Sequence, residues 1–391
     1  MVKDSMVQRV GVIGGGQLAW MMAEAAQTLG LELVIQTPKA DDPAVSIAAH
    51  TIFAPVADAS ATAELATHCE VITFENEFVD LEALLKLEQQ GIRFYPSLRS
   101  IAPLLDKYEQ RSYLKTLGLP TPEFMALEPD TAPTMINAFG LPVVLKARRL
   151  GYDGQGTTIF KTQTDLHNLI HDRLDPSHPF PASTFLLEAF VPFERELAVM
   201  VARSVTGELV IYPVVETQQE QQVCRRVIVT PDFDPSIVEQ VQAIAQRLLE
   251  SLDYVGIMGI EFFLTQDGKV LVNETAPRTH NSGHYSLNAC LTSQFEQQLR
   301  SVAGLPLGDP ALSHPGAVMV NLLGYEDAEQ DYAEKRQQLA QIPHAHVYWY
   351  GKTLSRVGRK LGHVTVTLAE GEGRSQALAI AEQIEAIWYG E

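Results

Sequence analysis

The stretch G-I-E-F-F-L-T-Q-D-G-K-V-L-V-N-E-T-A-P-R-T-H-N-S-G-H, residues 259–284, begins as a hairpin and ends as a crowded polar loop. Apolar residues flank Asp267-Gly268, a dipeptide suited to the positive φ angles of a tight hairpin turn. A two-residue turn there sets Glu261 opposite Glu274 on one face, and a four-residue loop from Gln266 to Lys269 keeps the same register. An odd loop or a bulge would break it. Opposed side chains have Cβ atoms ~4.5–5.5 Å apart, where like charges destabilise. At an effective dielectric of ~20 and ~5 Å the repulsion is about 3 kcal/mol. A cation between the carboxylates offsets that cost. Magnesium carrying nucleotide phosphates suits the position, being a hard ion that takes one or two protein carboxylates plus substrate oxygens. A solvated or lysine-paired couple is the competing explanation. In this register Asn273 alternates to the opposite face and ranks lower as a ligand.

The loop that follows crowds Arg278, His280, Asn281, Ser282 and His284 together. A loop this polar, leaving a buried strand, marks a binding site better than a filler. Gly283 and Pro277 argue against the helix that a His280/His284 metal pair would need. Upstream, the strand P-V-V-L-K (142–146) runs into L-G-Y-D-G-Q-G (150–156). Its glycines free backbone N–H groups to fold over phosphates, with Lys146 entering from the strand; a tight hairpin turn at Asp153-Gly154 explains the composition equally simply. Gly14-Gly15-Gly16-Gln17-Leu18-Ala19 follows a strand and opens a helix, as a dinucleotide loop does. The next strand, however, ends Gln36-Thr37-Pro38 without the acid that would hold a ribose. Packing of the first helix, or contact with another phosphorylated substrate, remains open. Glu75 and Glu77 follow the strand V-I-T-F (71–74), at the end of a parallel strand where ligands gather. Lys352, Arg356, Arg359 and Lys360 form a cluster with no acid from 351 to 369, either a phosphate subsite or a solvated basic turn.

The whole chain has 391 residues and a net charge of −19, which argues against coating nucleic acid or an anionic membrane. Three scattered cysteines, no signal-peptide core and no apolar run near the ~20 residues of a membrane helix point to a soluble, cytoplasmic protein. Short apolar runs alternate with helical patterns over the first hundred residues (strands at 10–14, 31–37, 71–74 and 92–95; helices at 17–29, 60–68 and 80–90), implying a parallel sheet. A helical stretch over 97–117 ends at Gly118. Strands then dominate 184–229, followed by a helix at 235–252, further strands at 317–322 and 363–368, and a closing helix at 375–388.

In this order the motifs resemble the ATP-grasp superfamily. Their wording (G-G-G-Q-L, G-Y-D-G-Q-G, N-E-T-A-P-R-T-H-N-S-G-H, G-R-K-L-G-H) is similar to the 5-(carboxyamino)imidazole ribonucleotide synthases of purine biosynthesis. The resemblance implies an α/β fold with an N-terminal Rossmann-like parallel-sheet domain (1–106), a central two-lobed nucleotide-binding ATP-grasp domain (107–305, lid about 120–187) and a small C-terminal domain (306–391). It implies an ADP-forming carbon–nitrogen ligase, using ATP and Mg²⁺ to carboxylate aminoimidazole ribonucleotide with bicarbonate through carboxyphosphate, and a homodimer. A sister ligase using formate and glycinamide ribonucleotide, and a nicotinamide-dependent oxidoreductase, are the alternatives.

Carried over to this chain, Lys107 and Lys146 would contact ATP phosphates under a lid of Gly151, Tyr152, Asp153, Gly154, Gln155, Gly156 and Thr157. Glu188, Ala189, Phe190 and Val191 would read adenine and Glu196 the ribose. Gln219 stands near where some relatives carry a nucleotide-contacting histidine. Glu261 and Glu274 would hold Mg²⁺ with Asn273 adjacent. Gln17, Leu18, Glu75, Lys352, Arg359 and Lys360 would bind the ribonucleotide. Asp153, Arg278, His280, Asn281 and Ser282 would surround the reacting amine and bicarbonate.

Overall fold

Apolar runs separated by helices return to one sheet in the same direction, and the opening segment does so. In a computed structural model describing residues 7–127, 139–149, 156–162, 164 and 185–390, strands β1 (Arg9–Ile13), β2 (Glu32–Thr37), β3 (His50–Phe53) and β4 (Val71–Phe74) form a parallel sheet ordered β3-β2-β1-β4. The expected strand at 92–95 is only a single bridge, Phe94 to Ile72, whereas β3 was not expected. The first helix is broken at Met21-Met22 into Gln17–Trp20 and Ala23–Leu29, and ends on Gly30 at φ 68°. The helical stretch over 97–117 divides too: Pro103 donates no backbone hydrogen bond, and Asp106 caps a fresh helix, Lys107–Thr116.

Strands β5 (Phe124–Ala126), β6 (Val143–Ala147), β7 (Thr157–Phe160) and β8 (Phe185–Ala189) form an antiparallel sheet ordered β5-β8-β6-β7. Lys146 pairs with Thr157, so residues 148–155 join β6 to β7. Gly151 to Gln155, and with them the alternative tight turn at Asp153-Gly154, lie outside the described residues.

The large sheet comprises β9 (Phe193–Arg203), β10 (Leu209–Ile211), β11 (Val215–Glu220), β12 (Val223–Val229), β13 (Gly256–Thr265), β14 (Val270–Ala276), β15 (Ala317–Leu323), β17 (Ala345–Trp349) and β19 (Lys360–Thr367); β16 (Ala328–Glu329) and β18 (Leu354–Ser355) pair separately. Strand β12 pairs with β15, so the C-terminal strands extend the central sheet. Alternation along β13 sends Ile260, Phe262 and Leu264 into a core under the helix Pro235–Ser251, where Ile237, Val241, Ile244 and Leu248 meet them. Its other face presents Gly259, Glu261 and Phe263 to a cleft.

Glu261 does stand opposite Glu274, but by a different route from the one the turn suggested. Thr265 and Lys269 close the hairpin on an odd, three-residue loop, with Gly268 at φ 77°. That slips the pairs near the turn by one residue, Leu264 with Val270 and Phe262 with Val272. A bulge then inserts Asn273 as an unpaired extra residue, and the slip is undone at Glu261. Because Asn273 occupies the bulge, it does not alternate away: it lines the cleft beside Glu274, which corrects its lower ranking.

Candidate active site

The cleft has a volume of about 1190 Å³ and lies between the two antiparallel sheets and the end of β4. Its floor is the acidic hairpin. Burial, and next the Glu274 charge, push the Glu261 carboxyl up to about 7. Burial, and next Glu261, push Glu196 on β9 up to about 8. Glu274 shifts the other way: burial opposes its charge, but Lys107, Lys146 and Arg111 together outweigh that, and Lys107 donates a hydrogen bond to its Oε1.

Asp106 organises the cations. Its carboxylate caps the helix through the N–H groups of Tyr108 and Glu109, and also accepts from Nε of Arg148 at 2.9 Å. Residues three and four apart share a helix face, so Lys107, Gln110 and Arg111 all reach toward β14. Gln110 brackets Thr275, donating to its carbonyl at 3.3 Å and accepting from its N–H at 3.1 Å. Arg111 donates to the Asn273 carbonyl and, at 2.5 Å, to Glu188 Oε1.

Glu188 is therefore not available to read a base with its side chain. It is buried between Arg111 and Lys146, the latter at 2.7 Å. Burial would raise its pKa, but the two cations hold it at about 2. Lys146 also donates to Asn273 Oδ1 at 3.0 Å, and burial pulls its ammonium below the usual range. Removing one member of such a buried group costs about 3–5 kcal/mol, because the survivors keep uncompensated charge. Ala189, Phe190, Val191, Gln219 and Thr157 line the cleft as well. Gly156, by contrast, is absent from the lining; its carbonyl accepts from the N–H of Ala147.

The loop after β14 closes the far end. Gly259 is required there: a Cβ on it would come within 2.6 Å of the His280 Cβ. His280 lies across that glycine with Nε2 3.9 Å from Glu261 Oε1 and Nδ1 2.9 Å from Ser282 Oγ. Gln294 clamps the His280 backbone, accepting from its N–H at 2.9 Å and donating to its carbonyl at 2.8 Å. Arg278 Nε lies 3.0 Å from Glu77 Oε1. Arg278, His280, Asn281 and His284 line the cleft; Ser282 is buried behind His280.

The first glycine loop already holds a carboxyl group of the protein, pushed above its usual pKa by burial against the lowering effect of the loop N–H groups. The Glu75 carboxylate accepts from the N–H groups of Gly16 at 2.6 Å, Leu18 at 3.0 Å and Ala19 at 3.4 Å. A Cβ on Gly16 would sit 2.6 Å from Glu75 Oε1, so the glycine permits this approach. The protein's own carboxylate thus takes the place a dinucleotide pyrophosphate would need, which removes the basis for the oxidoreductase alternative. Gln17, Leu18 and Glu75 still line the cleft, and Lys352 donates to Gln17 Oε1 at 2.7 Å. Within the basic cluster the placements differ. Lys360 lines the cleft, Lys352 stands behind Gln17, and Arg359 lies outside the lining, its guanidinium donating to the Leu354 carbonyl at 2.5 Å.

Sequence reasoning missed Gln110 and Arg111. The spacing 107/110/111 was the available signal, but a single helix face carries no information about what it docks against. Gln294 and Asn321 were also left without a role, because nothing near them in sequence reveals their contacts; Glu77, singled out with Glu75 at the end of β4, does line the cleft.

Three family profiles match in series: the ribonucleotide synthetase preATP-grasp domain over 7–103, the ATP-grasp domain over 112–295, and the phosphoribosylaminoimidazole carboxylase C-terminal domain over 317–376. The chain is 56% identical to N5-carboxyaminoimidazole ribonucleotide synthase of Synechococcus elongatus, over 98% of this chain and 96% of that one. It is 53% identical to the Synechocystis sp. enzyme of the same name, over 99% of each. Among solved structures, N5-carboxyaminoimidazole synthase of Aspergillus clavatus, in complex with ADP and 5-aminoimidazole ribonucleotide, superposes with a TM-score of 0.88 at 28% identity, over 99% of this chain and 100% of that one.

Proposed function

Because the chain belongs to the N5-carboxyaminoimidazole ribonucleotide synthase family of ATP-grasp enzymes, we propose a division of labour among its cleft residues. The reaction is the ATP-dependent carboxylation of the amine of 5-aminoimidazole ribonucleotide, in purine biosynthesis. The observation that carries the residue roles is the Glu261/Glu274 couple, set between Lys107 and Lys146 on one side and the Arg278–His284 loop on the other.

The donor set fits Mg²⁺. Glu261, Glu274 and the Asn273 amide carbonyl are hard oxygen donors; Lys107 pairs with Glu274, as the lysine-paired alternative has it, yet burial and the Glu274 charge still hold Glu261 at about 7. Among the described residues no group of three or more histidine, cysteine or carboxylate side chains is placed to hold a metal, so nucleotide oxygens would complete the shell. When bound, the ion would supply charge neutralisation to the transferring phosphate.

Lys107 and Lys146 balance the remaining phosphate charge, and the loop containing Gly151 to Thr157 covers it. The Glu188–Val191 segment meets adenine through its backbone, since the Glu188 carboxylate is engaged by Arg111 and Lys146. Glu196, protonated until about 8, can both donate to and accept from ribose hydroxyls. Gln219 is assigned to the nucleotide end on its place in the lining. Gln17, Leu18, Glu75 and Lys360 serve the ribonucleotide from the cleft lining, Lys352 orienting Gln17, and Arg359 would have to leave the Leu354 carbonyl and turn inward to join them. Asp153, Arg278, His280, Asn281 and Ser282 hold bicarbonate, the carboxyphosphate formed from it and the attacking amine, with Ser282 setting the His280 ring. Carboxyphosphate decomposes in water, so closure over this end is part of the same proposal.

The decisive test is product identification after incubation with ATP, Mg²⁺, labelled bicarbonate and aminoimidazole ribonucleotide. Label in an N-carboxylated ribonucleotide, with ADP and phosphate, is expected. Turnover that needs formate and glycinamide ribonucleotide would refute the proposal. A cytoplasmic homodimer is proposed on the same family grounds. Among the described residues no helix is long and apolar enough to cross a membrane. Sedimentation at the monomer mass would refute the dimer.

A further inference from the structure

Asn321 sits in the middle of β15, wholly buried and directly opposite His363 of β19. Its amide makes three hydrogen bonds. Nδ2 donates to the Cys224 carbonyl on β12 at 2.9 Å and to Asn281 Oδ1 at 2.7 Å, and Oδ1 accepts from Asn281 Nδ2 at 2.9 Å. A backbone carbonyl can only accept, so Cys224 dictates which way round the Asn321 amide lies. The reciprocal pair then dictates the orientation of Asn281. An asparagine amide offers two N–H groups and two oxygen lone pairs. The pair uses one of each on Asn281, leaving it one N–H and one lone pair.

Asn281 lines the cleft, while Asn321 lies behind it in the sheet. The next residue back, His280, is held independently through its backbone by Gln294. Asn321 therefore reaches the loop through the Asn281 amide, across 40 residues of chain and from the C-terminal part of the sheet. We infer that Asn321 is a positioning residue for carboxyl transfer: it locks Asn281 so that the remaining N–H serves as a fixed donor to an anionic oxygen of bicarbonate or of the species formed from it. This rests on the proposed placement of Asn281 at the bicarbonate end.

The test is a double-mutant cycle on the full-length enzyme: Asn281→Ala, Asn321→Ala, Asn321→Leu and the double alanine variant. Asn321→Ala leaves room for water on the Cys224 carbonyl and Asn321→Leu preserves volume, so a folding defect peculiar to one is exposed by the other and by its melting curve. Removing a hydrogen bond to a charged group is expected to lower kcat/KM for bicarbonate roughly ten- to hundredfold in each single variant. KM for ATP should stay within about twofold, while bicarbonate-dependent ADP formation and product fall together at sub-saturating bicarbonate, because bicarbonate is the phosphoryl acceptor this amide would hold. In the Asn281→Ala background the Asn321→Ala change should add less than about twofold. A full, multiplicative further loss there, or a rise in KM for ATP matching the loss in kcat/KM for bicarbonate, would overturn the inference in favour of plain structural damage. Normal turnover in both Asn321 variants beside an impaired Asn281→Ala would also overturn it. An Asn281→Ala enzyme with normal turnover would instead fell the underlying placement of Asn281, and this inference with it.

Discussion

Replacing Glu261 by glutamine should stabilise the nucleotide-free protein while abolishing its turnover. Burial and then Glu274 raise the Glu261 carboxyl from 4.5 to about 7. Between those values the folded protein holds a proton that the unfolded chain releases, so folding stability falls as pH rises through the window. At ~1.36 kcal/mol per tenfold, the accumulated cost is about 3 kcal/mol at pH 8 and close to nothing at pH 4. The Coulomb estimate for two opposed carboxylates at ~5 Å has the same size. The side chain is only 20% exposed, so solvent screening removes little of it. Glu196, which Glu261 helps push to about 8, should relax in the same variant and add to the gain. The assay is thermal melting of wild type and Glu261→Gln, free of metal and nucleotide, at pH 5 and pH 8. The variant should melt higher at pH 8 with the gap shrinking toward pH 5, and should form no ADP from Mg·ATP. A variant less stable than wild type at pH 8, or one equally stabilised at both pH values, would refute the reasoning.

Glu188→Ala should cost about 3–5 kcal/mol in a denaturant melt, since Arg111 and Lys146 would be left buried without their counter-ion. Because Glu188 is held down at about 2, its contribution is complete above the ordinary carboxylate range and fades only as pH falls through that value. Wild type should therefore keep this ion pair at pH 4, readable as unchanged Glu188 carboxylate signals by NMR. Gly16→Ala should destabilise by about 1–3 kcal/mol, because the new Cβ meets Glu75 Oε1 at 2.6 Å and drives the carboxylate from the helix end. A melting temperature equal to wild type would count against that packing. Lys352→Ala should raise KM for the ribonucleotide more than KM for ATP, through loss of the bond to Gln17. Equal effects on both would count against a phosphate subsite.

Local periodicity made much of the fold legible. Alternation along 259–274 put Glu261 on the cleft face, and the polar loop after it marked one end of the cleft. The route to that register was not legible: a three-residue loop and a bulge at Asn273 cancel one another. Bulges depend on how the neighbouring strand and helix pack, here on Arg111 holding the Asn273 carbonyl and Lys146 its side chain.

From its sequence alone this chain determined that Glu261 and Glu274 share one face of their hairpin, because side-chain direction follows the period of a strand, a property of neighbours in the chain. It also determined the family, through motifs long enough to be specific. Only the tertiary structure decided what the other side chains of the site do. It turned Glu75 inward onto the first helix, spent Glu188 on two cations, left Arg359 outside the lining and placed Asn321 behind Asn281. Apart from Arg359, which meets Leu354 close by in the chain, each of those outcomes joins segments tens of residues apart. Their contact geometry is set by the docking of whole sheets and helices, which no local pattern encodes.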